Sequence, residues 1–154
     1  MAGSIDRVRA ALRNAAHDDT IVTFPASTRT AAEAAAAVGC AVAQIAKSLV
    51  FRTGERPVLV IASGTNRVDT AKVASLVGSP VERPDVRWVR DVTGFAIGGV
   101  SPVGHLTPPV VLVDQDLAAL DPIWAAAGAP NTVFRTRFAD LLTLSGGRVA
   151  DIAE

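Results

Sequence analysis

The sequence predicts a single α/β domain, residues 1–154, built on a mixed β-sheet. Three observations carry that expectation. Helix-like and strand-like segments are interleaved along the chain. Some strands are separated by hairpin turns and others by whole helices, which argues against a pure βαβ repeat. The chain is also 49% hydrophobic yet poor in aromatics, with no Tyr, so its core is aliphatic, made of Val, Leu, Ile and Ala. A domain of this length can bury on the order of two-thirds of its unfolded surface without disulfides or metals.

Each element has a local reason. Residues 5–16 place Ile5, Val8 and Leu12 at helical spacing, with Arg7, Arg9 and Arg13 on the other faces and Ser4 as the expected N-cap. Residues 20–24 read as a short strand stopped by Pro25. Thr30-Ala31-Ala32-Glu33 has the form of a capping box, and the alanine run behind it ends at Gly39. Residues 48–52 and 58–62 are apolar strands around a turn at 53–57. Asp69 can cap a helix that stops at Gly78, and Asp85 one that runs to Asp91 before Gly94. Residues 110–113 form a continuous apolar run of the buried-strand type. Strands are expected at 123–127 and 132–135 around a turn, then a helix at 138–144 ending at Gly146, and a closing strand at 149–152.

Several chemistries are excluded at this stage. Lys plus Arg and Asp plus Glu are 15 each, so the large basic excess of a strong phosphate binder is missing. Contact with nucleic acid would be local or helped by another protein. Cys40 is alone, which forbids an internal disulfide and suits a reducing cytoplasm; it reads as an inert buried thiol. No apolar leader or membrane-length run is present, so a cytoplasmic protein without membrane contact is expected. There is no dinucleotide-binding or P-loop glycine pattern. With two histidines and one cysteine, a zinc site is not expected, nor a Ser-His-Asp triad at a G-x-S-x-G elbow. Arginines 83, 87 and 90 read as solvated surface.

Three segments remain. The stretch from Thr93 to His105 carries four glycines and Pro102. Such backbone turns sharply and exposes amides, which is either a tight turn between strands or the makings of an oxyanion hole. Lys47 interrupts the apolar sequence Gln44-Ile45-Ala46-Lys47-Ser48-Leu49-Val50-Phe51. It is either an amine snorkelling into water or a charge with work to do. In Asn66-Arg67-Val68-Asp69, the aspartate either caps a helix or orients Lys47 or substrate.

Taken in order, these segments resemble the YbaK/ProX-type aminoacyl-tRNA editing domains, which include deacylases and the editing insertion of bacterial prolyl-tRNA synthetase. The resemblance implies a strongly curved mixed sheet with surrounding helices. It also implies hydrolysis of the ester joining a wrong amino acid to tRNA, chiefly tRNA for proline. On that resemblance Lys47 stands at the essential lysine, and Gly98, Gly99 and Pro102 match a glycine-x-x-x-proline loop, with Ser101 inside it. Substrate contacts are expected from Phe24, Ser27, Thr28, Ser48, Asp69, Ile97, Val100, Pro102, Gly104 and His105. No cofactor or metal is implied, and no DNA. The implied partner is the 3′ end of aminoacyl-tRNA, with prolyl-tRNA synthetase or an elongation factor as helper. Cysteine-selective members carry Ser-Gly-Gly where this chain has Ala126-Ala127-Gly128-Ala129, so Ala, Ser or Thr is at least as plausible as Cys. The competing class is a non-catalytic module that binds an aminoacyl-adenosine-like ligand; a purely structural protein leaves Lys47 unexplained.

Overall fold

The two apolar runs around the hairpin become the centre of one seven-stranded sheet in the computed structural model, which describes residues 3–154. The strands are β1 (Val22–Thr23), β2 (Ile45–Thr53), β3 (Arg56–Ser63), β4 (Val110–Asp114), β5 (Ile123–Ala129), β6 (Thr132–Thr136) and β7 (Arg148–Ala150), in the order β1-β6-β5-β2-β3-β4-β7. The β1–β6, β5–β6 and β2–β3 pairs are antiparallel, while β2–β5, β3–β4 and β4–β7 are parallel. The mixed sheet expected from the sequence is therefore present.

The helices are α1 (Ser4–Asn14), α2 (Ala31–Val38), α3 (Thr70–Val77), α4 (Val86–Thr93) and α5 (Phe138–Ser145). Strand alternation sorts β3 between two cores. Leu59 and Ile61 join Val8 and Leu12 of α1, Val89 of α4, Leu141 of α5 and Phe95 in one. Val58, Val60 and Ala62 join Val73 of α3 and Ile152 in the other. Because both faces are covered, β3 is buried from Pro57 to Ser63 and reads as an unbroken apolar run. A smaller cluster seats Ala34 and Ala35 of α2 on Ile45, with Trp124 against it.

The local signals hold with few changes. Thr30 and Glu33 form the capping box of α2, and Asp69 and Asp85 cap α3 and α4. The N-cap of α1 is Gly3 rather than Ser4, whose hydroxyl instead donates to the Gly128 carbonyl at 2.7 Å. The first strand is only two residues long, and ahead of it Thr20 meets the backbone of Arg135 through its side-chain hydroxyl. Lys47 lies inside β2 rather than ahead of it. β5 runs on to Ala129 through an irregularity between Ala126 and Ala129. β7 stops at Ala150, yet Ile152 stays fully buried. Cys40 is half-buried rather than buried, and the loss of solvent still pushes its thiol pKa up. No helix among the described residues is long and apolar enough to cross a membrane.

Leu141 is fully buried in the larger core. Leu141→Ala is expected to cost about 2–5 kcal/mol through lost burial and the cavity left behind. Urea unfolding reads this as a lower midpoint at unchanged slope.

Candidate functional site

The site arises where the sheet comes apart. β2 and β5 pair only through Ile45↔Trp124 and Ala46↔Ala125, while β2 stays with β3 to the hairpin. At the far end Arg52 bonds to Glu82 through both backbone groups. Residues 47–51 of β2 thus lie on an edge that neither partner covers. Since Arg52 faces outward, alternation turns the backbone N–H and C=O of Ser48 and Val50 toward the same gap.

A cavity of about 280 Å³ fills this gap, lined by Lys47 and Ser48, by Ala125 and Ala126 of β5, by Thr28 and Arg29, and by Ile97, Gly98 and Val100. A smaller lobe of about 120 Å³ continues along β2 toward Arg83 and Pro84 and shares Ser48, Ile97, Gly98 and Val100 with the first. The Ser48 hydroxyl is buried here without a hydrogen-bond partner among the described residues. An unsatisfied buried hydroxyl costs stability, so it stands out in an otherwise satisfied wall.

Lys47 is half-buried, and its Nζ reaches the Gly64 carbonyl at 3.4 Å. Gly64 has to be glycine, since a Cβ there would sit 2.2 Å from the Val42 carbonyl oxygen. Behind it Asp114, at the end of β4, is buried and accepts from Ser63 N at 3.0 Å and Asn66 Nδ2 at 2.8 Å. Burial holds the Lys47 amine below the ordinary lysine pKa, and the charge of Asp114 offsets part of that shift. The lysine forms no ion pair among the described residues. Its charged form is supported by Asp114 from a distance and not cancelled by a direct ion pair.

The glycine loop supplies the opposite wall. Gly98 adopts φ +94°, and the Gly99 amide closes a turn onto the Ala96 carbonyl at 3.0 Å. The Gly99 N–H is therefore spent, whereas those of Gly98, Val100 and Ser101 donate to no atom among the described residues. Ser101 is fully buried, and its carbonyl accepts from His105 Nε2 at 2.6 Å. That acceptor requires the proton on Nε2 and leaves Nδ1 without a partner. Burial keeps the imidazole pKa below its usual value, so His105 is neutral at pH 7.

The residues expected at the site divide accordingly. Thr28, Lys47, Ser48, Ile97, Gly98 and Val100 meet in the cavity. Gly99, Ser101 and Pro102 belong to the same loop as Gly98 and Val100 but do not line the cavity. Phe24 pairs its backbone with Asn131, and Ser27 spends its hydroxyl on Glu33 and the Arg29 amide. The Asp69 carboxylate caps α3 through Ala71 N and Lys72 N. Gly104 is pressed on the backbone of Arg7, and His105 on the Phe95 ring. None of these five lines the cavity. Sequence reasoning missed Asp114, although a lone acid closing a run of buried valines is a signal. It also missed Trp124 and Arg29, whose stem crosses Gly98 closely enough that a Cβ there would lie 2.5 Å from Arg29 Cγ.

A larger hollow, about 640 Å³, lies between the end of α1, β6 and α5 and shares no residue with this cavity. Its histidine, His17, has both ring nitrogens engaged, by the Asp18 carbonyl and the Thr136 hydroxyl. Size alone favours the hollow; the unsatisfied groups favour the Lys47 cavity, and they are what chemistry requires.

The model of the aminoacyl-tRNA editing domain family matches residues 25–144. A protein of Bacillus subtilis known only as uncharacterized protein YwhH is 29% identical over 95% of this chain and 94% of its own. A proline–tRNA ligase of Streptococcus equi is 27% identical over 86% of this chain, which spans 23% of the ligase. Among solved structures, a candidate trans-editing enzyme for prolyl-tRNA synthetase superposes with a TM-score of 0.93 at 46% identity, covering 100% of this chain and 99% of its own.

Asp114 favours the charged form of Lys47. Asp114→Asn removes that charge while retaining an acceptor for Ser63 N, so the Lys47 pKa is expected to fall further below its ordinary value. Nuclear magnetic resonance of lysine labelled at Cε reads the titration; an unmoved or raised pKa contradicts the electrostatic assignment.

Proposed function

The chain belongs to the aminoacyl-tRNA editing domain family, and we propose that it hydrolyses the ester of mischarged tRNA, acting in trans on a small amino acid attached to tRNA for proline. The single observation that carries this reading is the cavity at the sheet's split. It is lined by Lys47, Ser48, Gly98 and Val100 and by no Cys or His among the described residues, and the amides of Gly98 and Val100 have no backbone acceptor there.

That composition suits an ester already activated for attack. Water adds to the carbonyl carbon, and the bond to the ribose oxygen breaks. The ribose oxygen leaves as a hydroxyl, and the amino acid departs as a carboxylate. Negative charge develops on the carbonyl oxygen, where backbone donors stabilise it most effectively because they need no reorganisation. The N–H groups of Gly98 and Val100 are the candidates. Lys47 adds positive charge near the ester or the neighbouring phosphate. No side chain in the cavity stands ready as general base, so the ribose hydroxyl beside the ester is the proposed assistant to water.

The floor supports a small side chain, since Ala34, Ala46, Ala125, Ala126 and Val133 leave little room and offer no polar group. Ala, Cys, Ser and Thr are the proposed residues. The proline assignment is supported by the ligase and trans-editing relatives, and trans action by relatives of matching length. The balanced charge favours a modest hold on tRNA, with the synthetase or an elongation factor presenting the substrate.

Lys47→Ala is expected to cut deacylation by about 10²-fold or more, the scale seen when one stabilising donor is lost. Thermal unfolding should remain near that of the wild type. The assay follows loss of labelled Ala, Cys, Ser or Thr from tRNA for proline; a fully active variant would defeat the assignment. Wild-type protein inert toward all four would point instead to a binding module.

A further inference from the structure

We propose that α1 is a clamp that holds the oxyanion loop in its working shape, with Arg7 as the positioning residue; this rests on the ester-hydrolase reading. Arg7 spans both ends of the loop. Its Nε donates to the Gly104 carbonyl at 3.1 Å and its Nη2 to the Gly94 carbonyl at 2.6 Å. The guanidinium also lies 5.0 Å from the centre of the Phe95 ring, which packs T-shaped with His105, the donor to the Ser101 carbonyl. One planar fork thus fixes the loop at both feet and braces the aromatic residue inside it. Arg7 forms no ion pair among the described residues, so these carbonyls have its charge to themselves.

One turn earlier on the same helix, Ser4 donates to the Gly128 carbonyl at 2.7 Å. A Cβ on Gly128 would come within 2.8 Å of the Ser4 backbone, so the two segments touch directly. The next residue, Ala129, lies against Gly99, where a Cβ would meet the Ala129 backbone at 3.0 Å. Ser4 and Arg7 therefore tie the end of β5 and the glycine loop, which already touch at Gly99 and Ala129, to one helix. Val8 and Leu12 are buried and hold the helix itself in place. This helix precedes the segment matched by the family model, residues 25–144.

The physical consequence is specific. Arg7 lines no part of the cavity, so its influence on ground-state binding runs only through the loop residues Ile97, Gly98 and Val100, while Lys47 and the floor are held without it. The amides of Gly98 and Val100 belong to the segment it fixes, and they matter most as charge develops. Loss of the clamp therefore lowers kcat and leaves KM nearly unchanged.

The test compares Arg7→Ala, Arg7→Lys and, as a control for lost stability, Leu141→Ala, all assayed where circular dichroism shows them folded. Arg7→Ala is expected to lose kcat about tenfold or more, with KM within about twofold of wild type. Arg7→Lys should recover part, since an ammonium lacks the fork that spans both carbonyls. Leu141→Ala should keep its kcat. The amide resonances of Gly98, Gly99 and Val100 should shift or broaden in Arg7→Ala and stay in place in Leu141→Ala. Wild-type kcat in Arg7→Ala, or an equal loss in Leu141→Ala, overturns the clamp. Wild-type protein inactive on every charged tRNA overturns the hydrolase reading instead; the loop resonances then decide the clamp alone, for it if they move and against it if they do not.

Discussion

The pairing of β2 with β5 ends after two residues, and the rest of the site depends on that early stop. A parallel pair carried further would have satisfied the outer edge of β2 and closed the gap. Instead β5 turns to β6 and leaves backbone groups of β2 and Lys47 beside the gap. The sheet can tolerate this because β3, the strand on the other side, is buried on both faces and paired along its full length. Stability is concentrated in β2–β3–β4, and the adjoining gap is free for chemistry.

Within the gap, charge is arranged so that it is held without being consumed. A carboxylate in direct contact with Lys47 would have neutralised it and made it useless to an incoming anion. Asp114 acts from behind, fixed by Ser63 and Asn66, with the Gly64 carbonyl as the amine's nearest partner. Burial works against the lysine's charge and Asp114 works for it, and no carboxylate pairs with the amine among the described residues. The loop opposite follows a similar economy: one amide is spent on the turn, which leaves its neighbours without protein partners. The two walls complement each other only if their separation is fixed, and that separation is a property of the backbone around Gly99 and Ala129.

Much of this was legible in the sequence because it rests on local rules. The capping box at Thr30, the aspartate caps and the glycine stops each depend on a few neighbouring residues, and each holds. Lys47 and the glycine loop were legible as anomalies, a charge among apolar residues and backbone too permissive for a plain strand. What escaped were the relations made across the chain. Asp114 is 67 positions from Lys47 by their numbering, and nothing local ties an acid at the end of β4 to an amine in β2. His105 and Gly104 fell on the wrong side of their own loop, because sequence order does not say which side of a turn faces the cavity. Ser4 read as a cap for the same reason: a serine before a helix satisfies the rule, but a tertiary carbonyl claimed its hydroxyl.

The cavity's composition also limits how the proposed activity can select its substrate. Walls of alanine and valine exclude bulk well but tell one small side chain from another by only about 1–3 kcal/mol per methylene. Rejection of larger residues can therefore be built into this floor, whereas discrimination among Ala, Cys, Ser and Thr has to come from a polar group. Among the described residues lining the cavity, the buried polar atom with no partner is the Ser48 hydroxyl. If it bonds the side chain of the amino acid, Ser and Thr gain over Ala; if it bonds the ribose, the preference disappears and size alone decides. Ser48 lines both lobes of the cavity. Walls of alanine and valine thus suit the proposed pocket to an upper limit on size rather than to reading chemical identity.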